Sequence, residues 1–145
     1  MTIAMTPAER TAFLAGVHVG VLAVDDPGHA PLALPVWYAY EPGRTVDVIT
    51  GTDTRKARCL RAAGRASLCV QIETAPYKYV SVEGPITAMG ETLGPDELKT
   101  MAHRYLGAEA GDLYLAATAE DAVHNVAFRM SPERWFTADF AKQSG

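Results

Sequence analysis

Apolar positions along this chain recur with two periods, and each switch between them marks a new element. Residues from Pro7 to about Gly16 predict a short helix. Thr6 is placed to cap it, Pro7 suits the first helical position, Glu9 completes a capping box and Gly16 ends it. Strand patterning follows. Val17–Val24 is a valine-rich run closed by the turn residues DDPGHAP. Leu32–Tyr40 is a second strand, and Pro35 inside it argues for an edge or a bulge, because proline has no N–H for the ladder. After EPGR, Thr45–Thr50 makes a third strand, and the three are expected to form an antiparallel meander. The period then turns helical over Thr52–Gly64, with Thr52 or Asp53 as cap, Ala57 and Leu60 on the buried stripe and Gly64 beyond the end.

A fourth strand is predicted over about Ala66–Glu73, with Leu68, Val70 and Ile72 on one face. A long fifth strand, Tyr77–Met89, carries Gly84-Pro85 as an expected bulge or bend. Leu93–Gly107 predicts a helix with Leu98, Met101 and Tyr105 at helical spacing. The remainder supplies a strand over about Val123–Met130, a Ser-Pro break and a short strand over Arg134–Ala138. The sum is six or so antiparallel strands with two or three inserted helices. Strands and helices do not alternate, which excludes a doubly wound sheet, and no GxGxxG follows a strand. A small closed or split β-barrel disposes best of the sheet edges.

The 145 residues suffice for one domain, taken as 1–145. With 48% hydrophobic and 21% charged residues the composition is that of a globular chain. No apolar run reaches the roughly 20 residues of a membrane helix, and no basic and apolar leader opens the chain, so a cytoplasmic location is expected. A net charge of −4 excludes a general nucleic-acid binder. Cys59 and Cys69 form no CxxC and read as reduced, buried thiols, and the four histidines show no metal-ligand spacing.

Charge changes the picture in one place. Arg55, Lys56, Arg58, Arg61 and Arg65 crowd a short stretch of an otherwise acidic chain. A helix N-terminus favours anions, yet Arg55 and Lys56 occupy its first turn. A bound phosphate resolves the conflict, because free N–H groups, the Thr52 and Thr54 hydroxyls and both cations would converge on it. The alternative is a solvated basic face paired with Asp53 and Glu73.

The ordered segments GVLAV, PVWYAYEPG, VITGTDTRKARCLRAAGRASLCVQ and YVSVEGPITA cover about half the chain. Together they resemble the pyridoxamine 5′-phosphate oxidase-like superfamily of flavin and deazaflavin oxidoreductases. HRYLG and RMSPERWFTADF resemble its small actinobacterial-type branch often assigned to coenzyme F420, a deazaflavin. The resemblance implies a six-stranded, antiparallel, Greek-key split β-barrel and a homodimer with two cofactor sites at the subunit interface. Thr50, Arg55 and Lys56 match the family's phosphate positions; Thr52 and Thr54 lie in the same turn, and Arg58 is a candidate for a second anionic group. Lys78 and Tyr79 match the strand that reaches the cofactor from the partner subunit, although interface packing explains Tyr77 and Tyr79 equally. Pro35, Val36 and Trp37 resemble the strand against which the ring system lies, Trp37 being open also to a core or interface role.

Two departures separate the chain from the true oxidase. The second strand, LALPVWYAY, lacks its Arg and Lys phosphate ligands, and the end, WFTADFAKQSG, lacks its basic substrate motif. Both argue against vitamin B6 oxidation. They favour F420, whose charge is spread along a phosphodiester and an acidic tail, over FMN. The resemblance then implies hydride transfer between F420 and a small electron-poor substrate. FMN-dependent chemistry on the same fold and a non-catalytic cofactor-binding module are the alternatives.

Overall fold

The computed structural model describes residues 2–143. Helix α1 (Pro7–Ala15) starts as its sequence requires: the Thr6 hydroxyl accepts from the Glu9 N–H at 3.2 Å, and the Glu9 carboxylate accepts from the Thr6 N–H at 2.8 Å. Its Leu14 is fully buried. Next come β1 (Gly20–Val24), β2 (Leu32–Val36), β3 (Ala39–Tyr40) and β4 (Val46–Gly51), then α2 (Arg55–Ala63), β5 (Arg65–Gln71) and β6 (Lys78–Glu91). Helices α3 (Glu97–Ala117) and α4 (Ala119–Ala122), strands β7 (Asn125–Met130) and β8 (Arg134–Asp139) and a 3₁₀ turn at Phe140–Gln143 complete the chain.

The strands pair antiparallel in the order β2-β1-β5-β6-β7-β4-β3, with β8 on β6, and the sheet curls into a half-barrel. Strand β6 belongs to both halves. Up to Pro85 it pairs with β5 and β8, and from Ile86 it pairs with β7. Period-two alternation sends Leu22, Val24, Leu68, Val70, Val80 and Val82 inward. With Leu14, Leu60 and Phe128 they make one hydrophobic core.

Among the described residues the architecture is mixed α/β with eight strands and four helices, where six or so strands and two or three helices were expected. One extra strand arises because the predicted Leu32–Tyr40 strand is broken at Trp37-Tyr38. The N–H of Tyr38 donates to the Tyr105 hydroxyl at 3.0 Å, and that hydroxyl lies 3.0 Å from the Tyr38 carbonyl. A side chain has thus replaced the ladder at this residue. The meander is interrupted at the same point: β1 pairs with β2 and β3 with β4, on opposite ends of the sheet path. Pro35 does lie on an edge strand.

Three other expectations move. The Gly84-Pro85 step keeps regular register with β5, and the irregularities fall between Ile86 and Ala88 and between Met89 and Glu91. Gly84 serves a close approach instead, since a Cβ there would lie 1.7 Å from the Ser131 carbonyl oxygen. Cap duty on α2 falls to Thr54, whose hydroxyl accepts from the Ala57 N–H, rather than to Thr52 or Asp53; Gly64 ends the helix at φ 69° as expected. Cys69 is exposed, because the alternation that buries Leu68 and Val70 turns it outward; Cys59 is buried.

Helix α3 begins at Glu97 and continues past its predicted end at Gly107. Gly107 has φ 82° and ψ 172°, so α3 is two helical halves joined at a corner.

Candidate functional site

A recess of about 370 Å³ opens where the two halves of the sheet meet α2 and α3, lined by Val19, Pro35, Val36, Trp37, Ile49, Lys56 and Tyr114. The break after β2 creates one wall. It turns Trp37 out of the ladder, and Tyr105 stacks on its ring at 5.0 Å and 5° while Tyr114 meets it at 5.2 Å and 53°. The Tyr105 hydroxyl, 2.7 Å from the His18 carbonyl, ties the stack to the chain before β1.

Lys56, in the first turn of α2, forms the opposite wall. It is half-buried, and among the described residues it has no hydrogen-bond or ion-pair partner. Burial pushes its pKa below the ordinary lysine value. The first turn of α2 carries no acidic residue, so the helix dipole and this ammonium both lack an anion. A half-buried cation without a counter-ion at the mouth of an apolar recess fits an anionic group on a flat apolar ligand.

The other predicted residues separate into groups. Pro35, Val36, Trp37 and Lys56 share the recess. Thr50 is buried behind it, its hydroxyl 3.1 Å from that of Thr54. Thr54 also donates to the Gly51 carbonyl, which holds the turn. Thr52 is pinned by Arg61, which donates to its carbonyl at 2.6 Å and to its hydroxyl at 2.7 Å. Arg55 turns away to pair with Asp26, and it holds that carboxyl below its usual range. With Arg58, His29 and Cys59 this pair lines a separate recess on another flank of α2. Arg58 donates to the Asp53 carbonyl at 2.6 Å.

Lys78 and Tyr79 do not line the recess of their own chain. Lys78 sits 3.9 Å from Asp139, and Tyr79 is exposed. Tyr79 shares the outer face of the sheet with a row in exact cross-strand register, Val21, Cys69, Ser81 and Phe136. Phe136 on this row is 62% exposed, and Val19, also exposed, joins it to the recess.

Val19, Ile49, Tyr105 and Tyr114 are site residues that sequence reading missed. For Tyr114 a signal was present: aromatic residues at Tyr105 and Tyr114 flank Gly107 in a stretch otherwise rich in helix formers. Among the described residues no cluster of His, Cys, Asp or Glu could hold a metal ion, and no helix is long and apolar enough to cross a membrane.

A family model described as pyridoxamine 5′-phosphate oxidase matches residues 6–139. No curated protein matches the chain. Among solved structures, a conserved hypothetical protein from Mycobacterium tuberculosis is 24% identical with a TM-score of 0.76, over 99% of this chain and 90% of that one. An F420 reductase is 21% identical with a TM-score of 0.60, over 86% and 94% of the two chains. An FAD-binding protein from Mesorhizobium loti is 21% identical with a TM-score of 0.61, over 92% and 93%. At these identities the likeness is one of fold.

Proposed function

The chain belongs to the pyridoxamine 5′-phosphate oxidase family, and from that premise we propose that it is an oxidoreductase whose recess beside Lys56 holds a flavin or deazaflavin, coenzyme F420 in preference to FMN. The observation that carries this reading is Lys56, a half-buried ammonium on the wall of an apolar recess with no counter-ion among the described residues. Its ammonium and the N–H groups of the first turn of α2 would take the cofactor's phosphate, for which the Thr52 and Thr54 hydroxyls would have to leave Arg61 and the Gly51 carbonyl. Pro35, Val36 and Trp37 would support the ring. The bound cofactor supplies hydride transfer, while the protein binds, orients and excludes water.

F420 is favoured over FMN by two features. The second strand offers no cation to a terminal dianion. Arg58, on the exposed flank of α2, suits a ligand whose negative charge extends along a tail, and Arg55 would join it by releasing Asp26.

A second subunit belongs to the same reading. The exposed row Val21, Cys69, Phe136 and Tyr79 would be covered by a second copy, bringing Lys78 and Tyr79 to the neighbouring recess. The deciding experiment titrates F420 and FMN by calorimetry into protein made in a host lacking F420, with Lys56→Met alongside. We expect colourless protein and tighter F420 binding. Lys56→Met should lose about 1.5–3 kcal/mol of affinity, the worth of a charge-assisted hydrogen bond. A yellow preparation releasing near-stoichiometric FMN would reverse the cofactor preference. Unchanged affinity in Lys56→Met would remove the anion-site reading.

A further inference from the structure

We propose that residues 108–117, the second half of α3, form a hinged flap over the Lys56 recess and that Tyr114 on the flap controls entry and exit; this rests on reading the recess as the cofactor site. The hinge is Gly107, whose φ of 82° and ψ of 172° lie outside the helical region on a residue flanked by helix on both sides. A Cβ there would meet nothing within 4 Å, so the corner is free of surrounding packing.

The two halves are attached very differently. The first half buries Met101 and Ala102 and is fastened by Tyr105 to Tyr38 and His18, and by Arg104 to the carbonyls of Ala15 and Gly16 at 3.1 and 2.8 Å. In the second half only Gly111 is buried, and Leu113 is 68% exposed. Leu115 is half-buried, and two polar or ring contacts hold the segment down. Asp112 meets His103 at 2.7 Å across the corner, and Tyr114 meets Trp37. Gly111 permits the first, since a Cβ there would lie 2.6 Å from the His103 ring.

A segment with so little buried apolar surface opens at low free energy. Beyond α4 the chain returns to the anion turn, where the Thr52 N–H donates to the His124 carbonyl at 2.8 Å. The flap is thus tethered at both ends, and its free motion is a swing that carries Tyr114 off Trp37. That swing removes one wall of the recess while leaving Lys56, Pro35 and Val36 in place.

The test uses the full chain and two readouts. Hydrogen exchange of the ligand-free protein should show the bonded amides of residues 108–117 exchanging at least about tenfold faster than those of residues 98–106. Asp112→Ala, at an exposed position, should speed the flap alone. In stopped flow with FMN as probe, Tyr114→Ala should raise the dissociation rate roughly five- to tenfold, as the loss of one aromatic contact does, with the melting temperature unchanged. Exchange of the two halves in step, or FMN rates unmoved by Tyr114→Ala, would overturn the flap. Failure of FMN and F420 alike to bind the wild-type protein overturns the cofactor reading and Tyr114's part in it, whereas the exchange comparison judges the hinge by itself.

Discussion

Lys56 and Gly84 are the residues whose side chains, one present and one absent, decide most. A lysine whose folded pKa lies below its unfolded value is disfavoured in its charged form by folding. That cost is fully present below the folded pKa, fades as pH rises from there, and is gone above the unfolded pKa. Removing the charge should therefore leave stability unchanged or raise it by up to about 1 kcal/mol. Lys56→Met should thus lose ligand affinity without losing stability in urea, the signature of a residue kept for binding; a clear loss of stability would mark Lys56 as structural. Gly84 is the reverse case. Its missing side chain lets the segment from Ser131 to Glu133 run against β6, where the Ser131 N–H donates to the Pro85 carbonyl and the Glu133 N–H to the Glu83 carbonyl, each at 2.9 Å. Gly84→Ala forces backbone apart and should cost at least about 3 kcal/mol, beyond ordinary overpacking. Denaturant unfolding checks this, and a loss below about 1 kcal/mol would contradict the close approach. Sequence patterning singled out both residues. It placed Lys56 in the first turn of a helix, as observed, although with the cap at Thr52 or Asp53 rather than Thr54, and it read Gly84 as a bulge or bend, because close approach between segments remote in sequence leaves no local pattern.

Between elements, Arg129 is the main polar fastener. From β7 it reaches Asp47 on β4 at 3.0 Å, Glu97 at the start of α3 at 2.9 Å and Glu91 at the end of β6 at 3.5 Å. Its side chain is 20% exposed. The three carboxylates are not equivalent. Two hydrogen bonds from Arg129 hold Glu97 below its ordinary value, whereas burial pushes Asp47 up despite the same guanidinium. Arg129→Met should cost about 2–4 kcal/mol by stranding three acids, near the range for breaking a buried pair. Glu97→Gln should cost more than Asp47→Asn, since Asp47 already leans toward its neutral form. Equal losses in thermal unfolding would contradict that ranking. Helix α1 and its capping box, α2 and most strands were legible at this scale because caps and alternation are local. The second half of α3 was not, since its apolar residues are few and mostly exposed, and the period that announces a buried helix is absent from it.

For the whole molecule, the apolar row across β1, β5, β6 and β8 is the feature a lone chain leaves unresolved. Strand register aligns exposed Val21, Cys69 and Phe136 in one row, with Ser81 between the last two, and Val19 and Tyr79 flank it. Such a face calls for a partner surface. Light scattering at micromolar concentration should give twice the chain mass of 15.6 kDa, and Phe136→Glu should shift it toward the monomer. A wild-type mass near 15.6 kDa would remove the second subunit from the proposal.

By itself the sequence determined the antiparallel class, the helix start at Thr6, the presence of α2 though not its cap, the restriction of Pro35 to an edge or a bulge, and the gathering of cations on α2. These follow from propensity, capping and period two, which act over a few residues. Tertiary structure decided which cation is free. Arg55, Arg58 and Arg61 find oxygen acceptors brought from Asp26 or from the Thr52-Asp53 turn, and among the described residues Lys56 finds none. It also decided that Trp37 leaves the ladder, because the Tyr105 hydroxyl arrives to take the backbone groups of Tyr38. Only folding brings those partners together, across 67 residues in the case of Tyr38 and Tyr105, and no local pattern encodes a contact at that separation.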